Sequence, residues 1–322
     1  MVSNKLQLAA AIVMSACTSI ATAQDYPVRA VRLVTIFAPG SASDVHARFL
    51  SQRLSPLLGQ PIIVDNKPGG GGLIATRDVI RAPQLGYSLL YTTPEVVGNA
   101  FAYKDPQYKI EDLSVVGPLG LGAYGLIIHQ SIPAKNVAEL VAYAKANPGK
   151  LNYGSLGPTA GNTILAERFK QAAGIDMLGI PFKGGDPVAV ALLAGDIHVY
   201  FATLYTAMQR MKNVQIRGLA VTSLERMKAA PDLPTLKEQG YPDVQLTYWS
   251  AVFVPSAAPR PMQQKLQDAM RTVTSSQDTK DLLAKQAIET WTGTVDQFTA
   301  FIRREGAELQ ADYKRLKIPL MD

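Results

Sequence analysis

Apolar residues along this chain follow two alternating rhythms. Short runs such as VRLVTIFAP (31–39), PIIVDN (61–66) and YSLLYTT (87–93) are dense in Val, Ile, Leu and Tyr. Runs of this kind, bounded by Gly, Pro and Asn, read as strands. Between them the apolar spacing widens to three and four. Val45, Phe49, Leu50, Leu54, Leu57 and Leu58 share one broad face, which predicts a helix over 44–58. Asn136 followed by Glu139 is a capping-box pattern ahead of Val137, Leu140, Val141 and Ala144, and NPGK stops that helix. LNYGS (151–155), MLGIPF (177–182), IHVYFAT (197–203) and IRGLAVTS (216–223) predict further strands, with helices over 161–173 and DPVAVALLAGD (186–196). The last third reads as mainly helical apart from QLTYWSAVFVP (245–255). Strands separated by helices predict an α/β fold with largely parallel sheets. Ligands of such folds sit outside the carboxyl ends of the strands, where the polar, glycine-rich turns fall.

The first residues break this rhythm. Lys5, the apolar LQLAAAIVMSA (6–16) and the small-residue ATA (21–23) have the order of an export signal, with cleavage expected after Ala23. The apolar run is too short to span a bilayer comfortably. MSAC (14–17) is a weaker lipoprotein-like alternative, placing a lipid on Cys17. Cys17 is the single cysteine, so the exported protein is expected to hold no thiol and no disulfide, which removes cysteine catalysis and thiolate metal sites. With 322 residues, 47% hydrophobic and 18% charged, the chain is long enough for a sizeable core without staples. The net charge of +6 comes from scattered basic residues, which argues against nucleic acid as a partner.

Candidate chemistry is sparse. Ser41, Asp44 and His46 lie close in sequence, but residues two apart on a helix point to different sides. No G-x-S-x-G elbow is present, since YGSLG (153–157) carries its glycine in the wrong place. His46, His129 and His198 stand apart, with no metal-binding spacing around them. GLGAYG (120–125) matches a dinucleotide pattern, yet the next residues, LIIHQSIP, are β-like and closed by a proline, so no helix start would receive the pyrophosphate. These glycines read better as letting a strand bend or cross between lobes. KPGGGG (67–72) serves equally well as a flexible turn or as a close backbone approach to a ligand, with a helix after it. Two segments remain, IFAPGSASDVHARF and YGSLGPTAGNTILAERF, each a strand, a turn of small residues and an amphipathic helix. Free N–H groups at such helix starts make an anion site. Simple capping by Ser43, Asp44, Thr159 or Asn162 is the alternative.

Taken with YPVRAVRLV, GQPIIVDNKPGGGG, GYSLLYTT, ELVAYAKANPGKLNYGS, IPFKGGDPVAVALLAGDIHVYF and LAVTSLERMKAAPDLPTLKEQGYPD, these segments keep a common order and spacing through nearly the whole chain after the leader. In them the chain resembles the periplasmic solute-binding proteins of tripartite tricarboxylate transporters, of the Bordetella uptake type. The resemblance implies a two-lobed type II periplasmic binding protein (a Venus flytrap) with the ligand cleft between lobes. It places one lobe at 24–125 plus 246–322 and the other at 126–245. It further implies a small organic carboxylate held without chemistry, no cofactor or metal, delivery to the permease subunits of the transporter, and a monomer in the periplasm.

On the same resemblance, the first jaw of an anion clamp is Pro39, Gly40, Ser41, Ala42, Ser43 and Asp44, with Asp44 ordering the turn as a cap. The second is Ser155, Leu156, Gly157, Thr159, Ala160 and Asn162. Gly71, Thr93, Phe182, Lys183 and Thr203 complete the expected site. The chain departs from the family at Ser41, Thr159-Ala160, Thr163 and Ala202-Thr203, which leaves room for a wider or less polar site than a citrate or amino-acid one and brings in an aromatic carboxylate as an alternative ligand. A partner role beside a sensor kinase shares the same site, and genome neighbours would separate the two. An enzyme is disfavoured by the missing nucleophile, metal ligands and paired acids.

Overall fold

Strand runs in the sequence become strands because each buries side chains on two faces. In β1 (Val31–Thr35), Leu33 packs with Leu50, Leu54 and Leu266, while its neighbour Val34 packs on the other face with Val97, Phe298 and Ile302. This period-two division is the reason for the dense apolar pattern. The structure is a computed structural model and describes residues 26–83, 85–318, 320 and 321. The expected export signal, Cys17 and the cleavage after Ala23 lie outside the described residues.

Two sheets organise the chain. The first contains β1, β2 (Ile62–Asn66), β3 (Ser88–Thr92), β4 (Leu113–Gly122), β10 (Tyr248–Pro255) and β11 (Ile288–Thr290), in the order β11-β4-β10-β3-β1-β2. The second contains β5 (Tyr124–His129), β6 (Asn152–Ser155), β7 (Leu178–Pro181), β8 (Val199–Thr203) and β9 (Ile216–Val221), in the order β7-β6-β8-β5-β9. The chain passes from the first sheet to the second at Ala123 and returns through residues 222–247. This is a two-lobed α/β architecture.

The expectation of largely parallel sheets needs correction. β1 runs parallel to β2 and β3, and β6 parallel to β7 and β8. However, β10 is antiparallel to β3 and β4, β11 to β4, and β5 to β8 and β9. The antiparallel members are the strands at the passages between sheets, together with β9 and β11 beside them. Apolar periodicity carries no information about strand direction, so only the assembled topology reveals it.

The helices follow the sequence in most places. α1 (Ala42–Leu58), α2 (Leu73–Ile80), α4 (Val137–Ala146), α5 (Gly161–Ala173) and α6 (Gly185–Ala194) all lie where the residue pattern predicts helix. At α4, Asn136 Oδ1 accepts from the Glu139 amide at 2.8 Å, while the Glu139 carboxylate accepts from the Lys135 amide. α3 (Glu95–Ala102), α7 (Leu204–Arg210) and strand β11 are too short to show a period, so the sequence does not announce them. α8 (Arg260–Ser275), α9 (Gln277–Ala284) and α10 (Val295–Arg315) form the helical C-terminal part. α10 ties the lobes together. Its Asp312 pairs with Arg168 of α5 at 2.5 Å, both side chains being at most 7% exposed, and its Tyr313 hydroxyl donates to the Pro158 carbonyl at 2.8 Å. Among the described residues no helix is long and apolar enough to cross a membrane.

Candidate functional site

The first wall of the cleft is the turn between β1 and α1. Gly40 adopts φ +80, open only to glycine without strain, and lets the chain reverse after Pro39. Ser41 is the N-cap of α1, its Oγ accepting from the Asp44 amide at 3.2 Å. Capping thus falls to Ser41, not to Ser43 or Asp44. Asp44 is buried and holds the turn from inside. Its carboxylate accepts from the Gly40 amide at 2.9 Å, from Asn66 Nδ2 at 2.8 Å and from Arg48 Nε at 2.9 Å. Burial pushes its carboxyl up, and these bonds from Asn66, Gly40 and Arg48 outweigh that and hold it below the ordinary carboxylate range. Asp44 is therefore an ionised brace for the turn. Ser43 presents its side chain to the Tyr248 hydroxyl.

The second wall is the turn between β6 and α5. Ser155 Oγ pairs with Thr163 Oγ1 at 2.9 Å and accepts from the Gly157 amide at 3.2 Å. Asn162 Nδ2 donates to the Gly154 carbonyl at 2.8 Å. These bonds use the polar side chains to brace the loop. The helix start itself is left open: α5 has Ala160 as N-cap with no side-chain cap. Neither Thr159 nor Asn162 caps it. Among the described residues the Gly161 and Asn162 amides donate to no protein acceptor, since the amides that close the first turn are those of Thr163 and Ile164. Two unused donors with a helix dipole behind them form an anion-binding end.

Residues from both sheets converge here. A side chain at Gly71 (φ +59) would stand 3.3 Å from Thr159 Oγ1 and 3.5 Å from Asn99 Oδ1. Gly71 is therefore a point of close approach between the two sheets' loops, a third use beside the flexible turn and the approach to a ligand that KPGGGG allows. Thr93 follows β3 and donates to the Glu95 carboxylate. Thr203 is the N-cap of α7 and bonds Thr206 at 3.0 Å. A cavity of about 90 Å³ between the sheets is lined by Ser43, Ala123, Thr203, Tyr205, Tyr248 and Gln286. Larger hollows of about 490 Å³ near Trp291 and 740 Å³ near Arg81 lie on the first lobe alone and bring none of the expected residues together.

Two expected residues stand apart from this convergence. Phe182 donates its amide to the Ser155 carbonyl at 2.8 Å and packs its ring toward Val188 and Leu192, so it supports the second jaw from behind. Lys183 is exposed on the loop after β7 and has no hydrogen bond within the site among the described residues. Glu95 and Asn99 are residues that sequence reasoning missed. Their signal is weak: a lone Glu after TTP, on a helix too short to display a period.

The Ser41, Asp44 and His46 cluster is not a catalytic arrangement. His46 is buried and its Nδ1 meets the Tyr91 hydroxyl at 3.0 Å, far from the bonds that occupy Asp44. Burial pushes its pKa down to about 4 against a raising contact from Gln286, so the ring is neutral at neutral pH. His129 bonds Ser131, and His198 accepts from the Asn152 amide. Among the described residues no group of His, Cys, Asp and Glu could hold a metal ion.

Comparison with known proteins points to one family. The family described as the tripartite tricarboxylate transporter family receptor matches residues 46–315. A UPF0065 protein of Bordetella pertussis is 30% identical over 92% of this chain and 93% of its own length. BugT of the same organism is 30% identical over 88% of each chain. Among solved structures, the periplasmic binding protein BugD superposes with a TM-score of 0.80 at 28% identity, covering 91% of this chain and 99% of its own. An R. palustris protein, Rpa4515, solved with adipate, superposes with a TM-score of 0.83 at 28% identity, with the same coverage of 91% and 99%.

Proposed function

The chain belongs to the tripartite tricarboxylate transporter receptor family, and from that premise we propose that it is an extracytoplasmic receptor for a small organic carboxylate, which it delivers to a membrane permease of that transporter type. The observation that carries the reading is the open start of α5, where the Gly161 and Asn162 amides have no protein acceptor among the described residues and no side chain caps them. An anion at that point completes the helix end, as a capping carboxylate would. The turn at 39–44 supplies the opposite jaw, with Ser41 and Ser43 hydroxyls as donors and Gly71, Thr93 and Thr203 around the ligand. The likeness to a protein solved with adipate supports a carboxylate as the ligand class. We assign 24–125 with 246–322 to one lobe and 126–245 to the other. The passages of the chain between sheets support that division. Export by a leader ending at Ala23 places the mature chain, as a monomer, in the periplasm. The ligand leaves unchanged: neither jaw offers a nucleophile with a base beside it.

A thermal-shift screen across mono-, di- and tricarboxylates tests this. A ligand at one hundred times its dissociation constant stabilises the native state by about 2.7 kcal/mol, which raises the melting temperature measurably. With the best ligand, Gly157→Val should lose binding by calorimetry and Lys183→Ala should keep it. Gly157 sits at φ +110 with open space where a side chain would go, so valine both strains the turn and fills the anion's approach. Loss of binding in Lys183→Ala with binding retained in Gly157→Val would show that a cation, not the backbone, holds the ligand.

A further inference from the structure

A carboxylate receptor has little use for an unpaired acid near its ligand, yet Glu95 lies beside Thr93 and near Tyr248, which lines the cavity between the sheets. It opens α3, and Asn99 comes after it at i+4 on the same helix face. Glu95 is half-buried and forms no ion pair among the described residues. Its neighbours are polar but neutral: Thr93 donates to its carboxylate, and the Tyr124 and Tyr248 rings stand within electrostatic reach. Those two rings meet edge to face at 6.3 Å, at the two passages between the sheets. Tyr124 also touches the opposite wall, because a side chain on Gly161 would collide with its hydroxyl.

Asn99 adds an independent observation. It is fully buried, its Nδ2 donates to the Gly71 carbonyl at 2.9 Å, and its Oδ1 has no partner. That oxygen faces the seam where Gly71 meets Thr159. A buried acceptor left unmade is costly and asks for a donor. The seam between the sheets is thus two-signed: α5 opens on backbone donors without acceptors, while α3 brings Asn99 Oδ1 to the Gly71–Thr159 contact and Glu95 beside Tyr124 and Tyr248.

We propose that Glu95 and Asn99 are specificity residues that receive a cationic nitrogen, so that the preferred solute is a zwitterion: a carboxylate that also carries an amine. The inference rests on the receptor reading above and names its ligand class. A plain dicarboxylate places its second negative charge against Glu95 and leaves Asn99 Oδ1 without a donor. An ammonium gives charge-assisted hydrogen bonds to both and lies against tyrosine rings that attract cations. Burial holds the Glu95 carboxyl above its ordinary range, outweighing donation from the Thr93 hydroxyl and its own amide. A cation brought beside it favours the ionised form and is stabilised by it in turn.

Calorimetric titration of the mature protein with matched pairs provides the test: glutamate against glutarate, and 5-aminopentanoate against pentanoate. Each amine-bearing member is expected to bind at least tenfold tighter than its partner, equivalent to about 1.4 kcal/mol. Glu95→Gln should remove that preference, weakening the amine ligands tenfold or more while glutarate binds as well or better. Glu95→Asp, which keeps the charge, should retain a preference, and circular dichroism with melting checks that each variant folds. Equal or tighter binding of glutarate and pentanoate in the wild type overturns the proposal. Parallel weakening of both pair members in folded Glu95→Gln does so too, since it marks a structural role. In those outcomes carboxylates still bind and the receptor reading stands. If none of these compounds and no member of the wider carboxylate screen binds, the receptor reading falls and the inference with it.

Discussion

Single residues here take their chemistry from burial more than from type. Glu305 of α10 is the plainest case. Its carboxylate accepts from the Trp249 indole at 2.7 Å in a nearly closed environment. Burial pushes its pKa up to about 7 from an ordinary 4.5, Glu308 adds to the rise, and Trp249, the Thr247 amide and Arg168 oppose it. A group whose folded pKa is raised contributes stability that is complete below its unfolded pKa and is lost as pH rises through the folded one. Stability should therefore decline between pH 4.5 and 8 by up to about 3 kcal/mol on account of Glu305. His46 has the opposite sign. Held at about 4 against 6.5, it contributes stability present above 6.5 and lost as pH falls toward 4. The two trends offset between pH 4.5 and 6.5, so the wild-type curve alone conceals both. Urea unfolding of wild type and Glu305→Gln across this range separates them: the variant should gain on the wild type steadily as pH rises. Parallel curves would mean that Glu305 does not titrate in this window.

At the scale of elements, α10 and α5 carry the main polar contact between lobes. Arg168 lies within α5 and Asp312 near the end of α10, and the Gln245 carbonyl accepts from the same guanidinium. Arg315 adds a second contact to Asp312 at 2.7 Å, from the exposed side. A buried pair of this kind is weak evidence for net stability, because desolvation offsets the attraction. Removing one partner is a different matter, since it leaves the other charge buried. Asp312→Asn should cost about 3–5 kcal/mol, read as a lower midpoint in denaturant. The double change Arg168→Met with Asp312→Leu should cost much less than the single one. If Asp312→Asn unfolds at the wild-type midpoint, the pair is solvated and does not join the lobes. The same helix opens on the Gly161 and Asn162 amides, which have no protein acceptor among the described residues, so on the proposed reading α5 links ligand and lobe contact in one rigid body.

For the whole molecule, the expected motion is rotation of the two sheets about the passages at Ala123 and before β10. Small-angle scattering with a confirmed ligand should show a smaller radius of gyration than without it. An unchanged radius at saturation would indicate a rigid site. Trp249 lies at the second passage, where a natural reporter of closure would be sought. The structure gives it another environment: it is fully buried against Phe253, Phe298 and Glu305. Its fluorescence tracks the packing of β10 on α10, and an engineered probe at the exposed Lys183 is better placed to report on the cleft. Salt should affect affinity little at the α5 end, since fixed dipoles in a closed cleft are poorly screened.

Local chemistry was legible in the chain itself. The strand runs, the Asn136 and Glu139 cap, the glycine turns and the two strand–turn–helix segments each depend on residues a few positions apart. Such terms act before any tertiary contact exists. The same short-range signals, kept in order along the chain, also pointed to the family. What remained hidden depends on neighbours distant in sequence. That Gly71 of KPGGGG comes close to Thr159 is a contact between residues far apart in sequence. Strand direction at β5 and β10 depends on the passages between sheets, to which apolar patterning is blind. His46 reads as a candidate acid–base group until Tyr91 encloses it. Glu95 drew no reading from the sequence, and only the fold brings Tyr124 and Tyr248 beside it and buries Asn99 against Gly71. The sequence by itself determined the longer elements and the kind of protein, because propensity and patterning are local. Only the tertiary structure decided which side chains lose water and which face one another, and those two conditions fix a cleft's charge and hence its ligand.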